Sequence, residues 1–309
     1  MSLIRFLAWR TAGALVLVFA VASSAMLLAH LAPGDFASSA IEKDPAFIAA
    51  ERHRLGLDLP IARQYARWAS RVLTLDFGDS LQYQQPVGAL VRARAINTAE
   101  LAATSLVVAT LLGIPWGVVT GSRRGIAPAV LRAASLALLS VPPLVSSLLL
   151  LTLAAATGWL PVSGMGGASH LVMPTLALAL PVAATLERLQ SQSIADALGR
   201  PPALAARARG VPIPRVVWRH AWRQSLGPIF GLYGVIVGSL FSGSFAVEIV
   251  ASWPGLGELM RGALLARDTD LVAGCAAAGA AFLAAGVLAS DVAHALFDPR
   301  VALGGSTHG

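Results

Sequence analysis

Six long apolar runs constrain this chain more than any other feature of it; they fall at about Thr11–Leu31, Asn97–Gly121, Ala127–Thr157, Leu171–Leu189, Leu226–Val250 and Leu271–Leu296. A helix rises about 1.5 Å per residue, so roughly 20 apolar residues cross the ~30 Å hydrocarbon core of a bilayer. Inside lipid the backbone must satisfy its own hydrogen bonds, which a run without strand-like alternation does as a helix. Only 13% of the residues are charged, about half the ~25% of a soluble domain, too few to cover a water-facing surface. The pattern therefore predicts an all-α integral membrane protein with six transmembrane helices. The third run is over-long and holds Pro142-Pro143, which predicts a kink or a broken helix there.

Charge sets the orientation. Lys43 is the only lysine, so the positive charge is carried by arginine. Arg5 and Arg10, the Arg123-Arg124 loop, the Arg188–Arg223 segment and Arg300 all fall on one side of six spans, whereas the loops 158–170 and 251–270 hold only Arg261 and Arg267. Positive loops stay in the cytoplasm, which places both termini inside. The chain then divides into a cytoplasmic N-terminus (1–10), a first transmembrane helix (11–31), an extracytoplasmic helical segment (32–96), a five-helix membrane domain (97–296) with a cytoplasmic loop at 190–225, and a cytoplasmic tail (297–309). The first run exceeds the ~7–15 residues of a signal-peptide core, and Pro33-Gly34-Asp35 makes a poor cleavage site, so it is read as an uncleaved anchor.

The outer segment carries helix signals. Asp44-Pro45 reads as an N-cap followed by proline, and Gly56 as a stop. Ile61, Tyr65, Trp68 and Val72 recur on one helical face, which predicts a helix from Pro60 to near Gly78. It either packs on the outer membrane surface or offers part of a docking platform to an external partner.

Several chemistries are disfavoured. Glu100, Glu187, Glu248 and Asp291 lie near span ends, which speaks against a proton- or sodium-coupled carrier with its site at the midplane. His220 and His294 belong to no HExxH pattern, Ser242-Gly243 sits in no GxSxG elbow, and no Walker-type loop is present. Cys275 is the only cysteine, so neither a disulfide nor a cysteine metal cluster is expected, and the histidines have no metal-ligand spacing. Gly234, Gly238, Ser242 and Ala246 form a small-residue stripe, with a weaker one at Gly274, Ala278, Gly279 and Leu283. Such stripes let helices approach closely, within one chain, at a subunit interface or along a pore.

The arginine-rich loop contains Ala205-Ala206-Arg207-Ala208-Arg209-Gly210, followed by Arg215, Arg219 and Arg223. Its short side chains allow another protein surface to come close, as a membrane channel driven by a separate soluble motor requires.

Short motifs in a fixed order extend over most of the chain: His30-Leu31-Ala32-Pro33-Gly34-Asp35, Leu55-Gly56-Leu57-Asp58, Gln64-Tyr65, Asp76-Phe77-Gly78, Gly113-Ile114-Pro115, Ser140-Val141-Pro142-Pro143, Gly158-Trp159-Leu160-Pro161, Pro174 with Leu176-Ala177-Leu178, Ser252-Trp253-Pro254-Gly255-Leu256-Gly257, Ala266-Arg267-Asp268 and Asp298-Pro299-Arg300. With these the chain resembles the membrane permeases of bacterial ABC importers in the dipeptide/oligopeptide/nickel group, and looks like the first of that group's two permease partners. The loop resembles the family's EAA motif: Leu204 stands where the general motif has glutamate, Ala205, Ala206 and Gly210 stand at its alanines and glycine, and Arg219-His220-Ala221 continues as in peptide permeases, with Trp222 in place of leucine. Gly199, Pro201 and Pro202 replace the family's usual aspartate-tyrosine region, so the helix is expected to begin at the prolines.

The resemblance implies a type I ABC importer permease fold in the bacterial inner membrane, surrounded by lipid and with no nucleic-acid partner. It implies a homologous second permease, one or two cytoplasmic ABC ATPase subunits and an extracytoplasmic substrate-binding protein. ATP and Mg would be held by the ATPases, leaving no cofactor, metal or catalytic residue in this chain. Coupling would run through Ala203, Leu204, Ala205, Ala206, Arg207, Arg209 and Gly210. Trp253, Pro254, Gly255 and Asp268 would face the binding protein or cap an outer gate, a plain connecting turn being the alternative. Short peptides are the first substrate class implied, with nickel chelates, glutathione-like molecules and some sugars carried by close relatives.

Overall fold

The computed structural model describes residues 3–37, 45–161, 164 and 166–297. The expected cap at Asp44, the tail beyond residue 297 and the Asp298-Pro299-Arg300 motif lie outside the described residues. Those described form helices α1 (Leu3–Leu31), α2 (Pro45–Leu55), α3 (Ile61–Val72), α4 (Val87–Ser122), α5 (Ile126–Leu139), α6 (Pro143–Thr157), α7 (Ala168–Leu198), α8 (Pro201–Ala208), α9 (Ile213–Val216), α10 (Trp222–Ala251), α11 (Leu256–Ala266) and α12 (Thr269–Phe297). A single π-helical turn, Val217–Ala221, joins α9 to α10.

Among the described residues, five helices are long and apolar enough to cross a bilayer: Ala8–Leu31, Val87–Ser122, Ala168–Leu198, Ile213–Ala251 and Thr269–Val292. α5 and α6 are long and apolar enough only together, bent by 105° at the predicted proline break, and make a sixth crossing where the pair counts as one broken span. Pro143 opens α6, where its missing N–H costs nothing. Leu111, Leu149, Leu153 and Val235 are more than half exposed, as side chains facing lipid tails rather than water are. The architecture is that of an all-α membrane protein.

Two compact units share the chain. The first comprises residues up to Arg10, Glu100–Trp253 and the chain from Ala285 onward. Its core lies along α7, which packs against α5, α6 and α10, and gathers Leu101, Met173, Leu178, Leu186, Ile229, Leu240 and Trp253. Two polar ties reinforce it. The Glu187 carboxylate, 1% exposed, accepts hydrogen bonds from Thr120 on α4 and from Ser135 Oγ on α5 at 2.6 Å. Gln190 Nε2 donates to Ser225 Oγ at 3.0 Å.

Glycine spacing on α4 sets a close backbone approach to α7. Gly113, Gly117 and Gly121 recur every fourth residue on α4, and each faces α7. A Cβ at Gly113 would lie 2.5 Å from the Ala183 carbonyl, and one at Gly117 would lie 2.6 Å from the Glu187 carbonyl. Only hydrogen fits between these backbones.

The second unit comprises Thr11–Ala99 and Pro254–Ala284. The aromatic face predicted for the outer helix is largely its core: Trp68 is 1% exposed and stacks on Phe19, with Tyr65 beside it. Tyr65 also donates to Ser23 Oγ at 3.1 Å, so α3 is fastened to α1. Three expected boundaries move. α3 stops at Val72 rather than near Gly78, because Leu75 turns left-handed with φ +62° and the Asp76 N–H closes back on the Arg71 carbonyl; Ile61 is 42% exposed. α4 begins at Val87 rather than Asn97, because helix propensity carries it through Arg92 and Arg94. The N-terminal residues are helical from Leu3, continuous with the first span.

Candidate functional site

The expected coupling segment folds as a short helix held by its own sequence. α7 ends at Leu198, Arg200 is extended, and Pro201 and Pro202 fill the first two positions of α8. Proline is favourable there, since its fixed φ suits a first turn and the N–H it lacks would have been unpaired. Arg207 in the last turn complements the helix dipole. Gly210 reverses the chain with φ +80°, a left-handed conformation that glycine adopts without strain. Its N–H donates to the Arg207 carbonyl, and that of Val211 donates to the Ala206 carbonyl.

Helical periodicity divides the segment into two faces. Ala203 and Ala206 are each 1% exposed and pack with Val216, Leu198 and Val211. Leu204, Ala205, Arg207, Arg209 and Gly210 are exposed. The buried alanines fasten α8 to the ends of α7 and α9, while its outward surface carries Pro201, Pro202, Leu204, Ala205, Arg207 and Ala208. Beneath it, Ile194, Ala197, Val217 and Ala221 form a further apolar cluster. An open groove of about 990 Å³ runs beside α8, lined among others by Leu204, Arg207, Ile213 and Trp218. Trp218 belongs to the π turn, is 61% exposed and lies 5.1 Å from Trp222 between ring centroids. Leu204, Ile213 and Trp218 thus present apolar area in a loop otherwise rich in arginine, as an unoccupied protein interface does.

The other expected site residues fall in different places. Gly234 packs against α12, where an added Cβ would meet Ser290 Cβ at 2.8 Å and the Gly286 carbonyl at 3.2 Å. Gly238 and Ala246 are half-buried and Ser242 is exposed, so the stripe is not a single packing surface within this chain.

Trp253, Pro254, Gly255 and Asp268, expected at an outer gate or against a binding protein, offer little accessible side chain themselves. Trp253 is 3% exposed and Asp268 0%, Gly255 is buried, and only Pro254 is half-buried. Trp253 belongs to the core of the first unit. In the second unit Asp268 caps α12: its carboxylate accepts from the Leu271 N–H at 3.2 Å, from Ser80 Oγ at 2.7 Å and from the Gln82 N–H at 3.1 Å. The Pro254 carbonyl accepts from Asn97 Nδ2 at 2.7 Å. These residues build the segment, and its accessible side chains are Arg261, Leu264, Leu265 and Arg267. Replacing Asp268 by alanine should cost about 2 kcal/mol, because it removes a cap and strands buried donors. Thermal unfolding of the purified chain in detergent measures this, and Asp268→Asn should recover part of the loss.

The four carboxylates noted near span ends have different surroundings, and Glu248 is buried in α10. Asp291 pairs with Arg10 at 3.1 Å, Glu100 is exposed, and Glu187 is held by the two hydroxyls described above.

The chain is thus a multi-spanning helical membrane protein with a small helix that offers an exposed, partly apolar face. Residues 113–303 match the family of binding-protein-dependent transport system inner membrane components, and residues 3–100 match the N-terminal family of the same membrane components. The chain is 34% identical over 268 residues to the glutathione transport system permease protein GsiC of Salmonella paratyphi A, covering 85% of this chain and 87% of that protein. It is 32% identical over 267 residues to GsiC of Escherichia coli K12, with the same coverage. This chain belongs to the binding-protein-dependent transport system inner membrane component family. It is a multi-pass inner-membrane permease of an ABC importer, a transport subunit that works with a partner ATPase and a substrate-binding protein.

Proposed function

We propose that this permease forms half of a translocation path for short peptides or glutathione-like peptide derivatives. A homologous second permease supplies the other half, and α8 is the element on which the cytoplasmic ATPases push. Both termini and α8 face the cytoplasm, a placement the arginine distribution supports. ATP binding closes the ATPase pair, α8 moves with it, and the helices rock between outward- and inward-open arrangements as rigid bodies. ATP and Mg are held by the ATPases.

The observation that carries the coupling role is the two-faced α8, with Ala203 and Ala206 anchored inward and Leu204, Ala205 and Arg207 offered outward. Rigid attachment is what a lever needs, since a floppy loop would absorb the push. The substrate class is supported by the relatives, whose names specify glutathione, a modified tripeptide.

The test is uptake into proteoliposomes holding the complete transporter, with labelled dipeptide, tripeptide, glutathione and a nickel chelate supplied to the binding protein. ATP-dependent accumulation of a peptide or of glutathione, unaffected by collapsing the proton gradient, is the expected result. Uptake that ignores ATP and stops with the gradient would overturn the importer mechanism. ATP-driven uptake of the nickel chelate alone would overturn the substrate class and leave the mechanism standing.

A further inference from the structure

A second pocket, of about 410 Å³, opens where α4, α5 and α7 approach one another, and its lining gathers Arg123, Arg124, Arg132 and Arg188. These residues come from the α4–α5 connection, from α5 and from α7, so the fold, not one run of sequence, brings them together. All four are exposed and none forms an ion pair among the described residues. Glu187 also lines the pocket, but its carboxylate is turned to Thr120 and Ser135 rather than to the guanidiniums. The positive charge of the rim is left for something else.

The position of the pocket says what. The Arg123-Arg124 connection joins two membrane helices and so lies at the water interface. From there α5 runs into the apolar region, and Arg132, Leu136 and Leu139 follow at i, i+4 and i+7 on one face. Leu136 is 48% exposed and Leu139 43%. A basic rim that continues into an exposed apolar stripe has the shape of an anionic phospholipid, with a phosphate above and an acyl chain below. Neither a free phosphate nor an acidic protein segment has use for the stripe.

We propose that this pocket binds the phosphate headgroup of an anionic phospholipid, held by Arg132 and Arg188 with Arg123 and Arg124 at its rim. Guanidinium forks suit phosphate oxygens, which they engage through paired N–H donors. Basic pockets between membrane helices are the recurrent form of such lipid sites. The bound lipid would clasp α5 to α7 across the junction that Glu187 ties from beneath.

The experiment is native mass spectrometry of the complete transporter, delipidated and then supplied with phosphatidylglycerol, phosphatidylethanolamine or inorganic phosphate alone. The expected result is retention of phosphatidylglycerol in preference to phosphatidylethanolamine, reduced about tenfold or more in Arg132→Gln/Arg188→Gln. Arg215→Gln/Arg223→Gln removes the same charge elsewhere and should retain phosphatidylglycerol as the parent does. Equal losses in the two variants would reduce the effect to net charge and overturn the site. Displacement by inorganic phosphate at the same concentration would make it a free-anion site. Retention by the permeases alone that disappears when the ATPases are bound would assign the pocket to an acidic ATPase segment instead. These readouts do not depend on which substrate is carried.

Discussion

Gly117→Leu is expected to leave almost no correctly folded permease in the membrane. At this position α4 and α7 touch through their backbones: an added Cβ would sit 2.6 Å from both the Glu187 carbonyl and Gln190 Cβ. A flexible side chain could swing aside, but a helical carbonyl cannot, so the helices must separate. Separation then breaks the Thr120 bond to Glu187 and opens the packing at Gly113 and Gly121 along the same stripe. Overpacking of a core costs about 1–3 kcal/mol where neighbours can adjust. Here they cannot, and a cost above about 3 kcal/mol is a large share of the ~5–15 kcal/mol that holds a typical domain together. Detergent extraction followed by size-exclusion chromatography and thermal melting measures the effect. Gly13→Ala in α1 is the matched control, since a Cβ there meets nothing within 4 Å and no proline follows it. It should melt at or above the parent temperature, because alanine favours a helix over glycine by about 1 kcal/mol. A monodisperse Gly117→Leu protein with parental melting would mean that the two helices are not in close contact.

The spans were legible because their cause is local: a run of apolar residues long enough to cross lipid becomes a helix whatever surrounds it. The break at Pro142-Pro143 was legible for the same reason, since proline removes a donor from its own helix. The proline-led start of α8 and the reversal at Gly210 likewise follow from the backbone preferences of those residues. What escaped the sequence depends on partners distant in the chain. Nothing near Glu187 in sequence says that Thr120 and Ser135 will meet it, and its place near a span end suggested only that it was not an ion site. Nothing near Asp268 in sequence says that Ser80 and Gln82, far away in the chain, will meet its carboxylate. The Gly113-Gly117-Gly121 spacing was readable, but the residues of α7 that it meets were not. For α8, composition pointed to close approach by another surface, and only the fold separates the alanines that anchor from the residues that are presented.

That separation gives the coupling role its sharpest test, because Ala205 and Ala206 are neighbours facing opposite ways. Ala205→Arg places a bulky cation on the exposed face, where the chain itself has no reason to object. The permease should fold, reach the membrane and melt as the parent does, yet lose its ATPases on purification. Uptake should fall by more than about 100-fold, which corresponds to ~2.7 kcal/mol of lost seating, the scale of an interface hot spot. Ala206→Arg instead drives a charge among Ala203, Val216, Leu198 and Val211, where its desolvation has no compensating partner. This variant should lower the melting temperature or the yield of the permease itself before any question of partners arises. Comparable uptake by Ala205→Arg and the parent, at equal membrane levels, would remove α8 from the coupling path. Loss of ATPase binding with an intact permease in the first variant, and damage to the permease in the second, is the pattern that a lever with one anchored face and one working face must give.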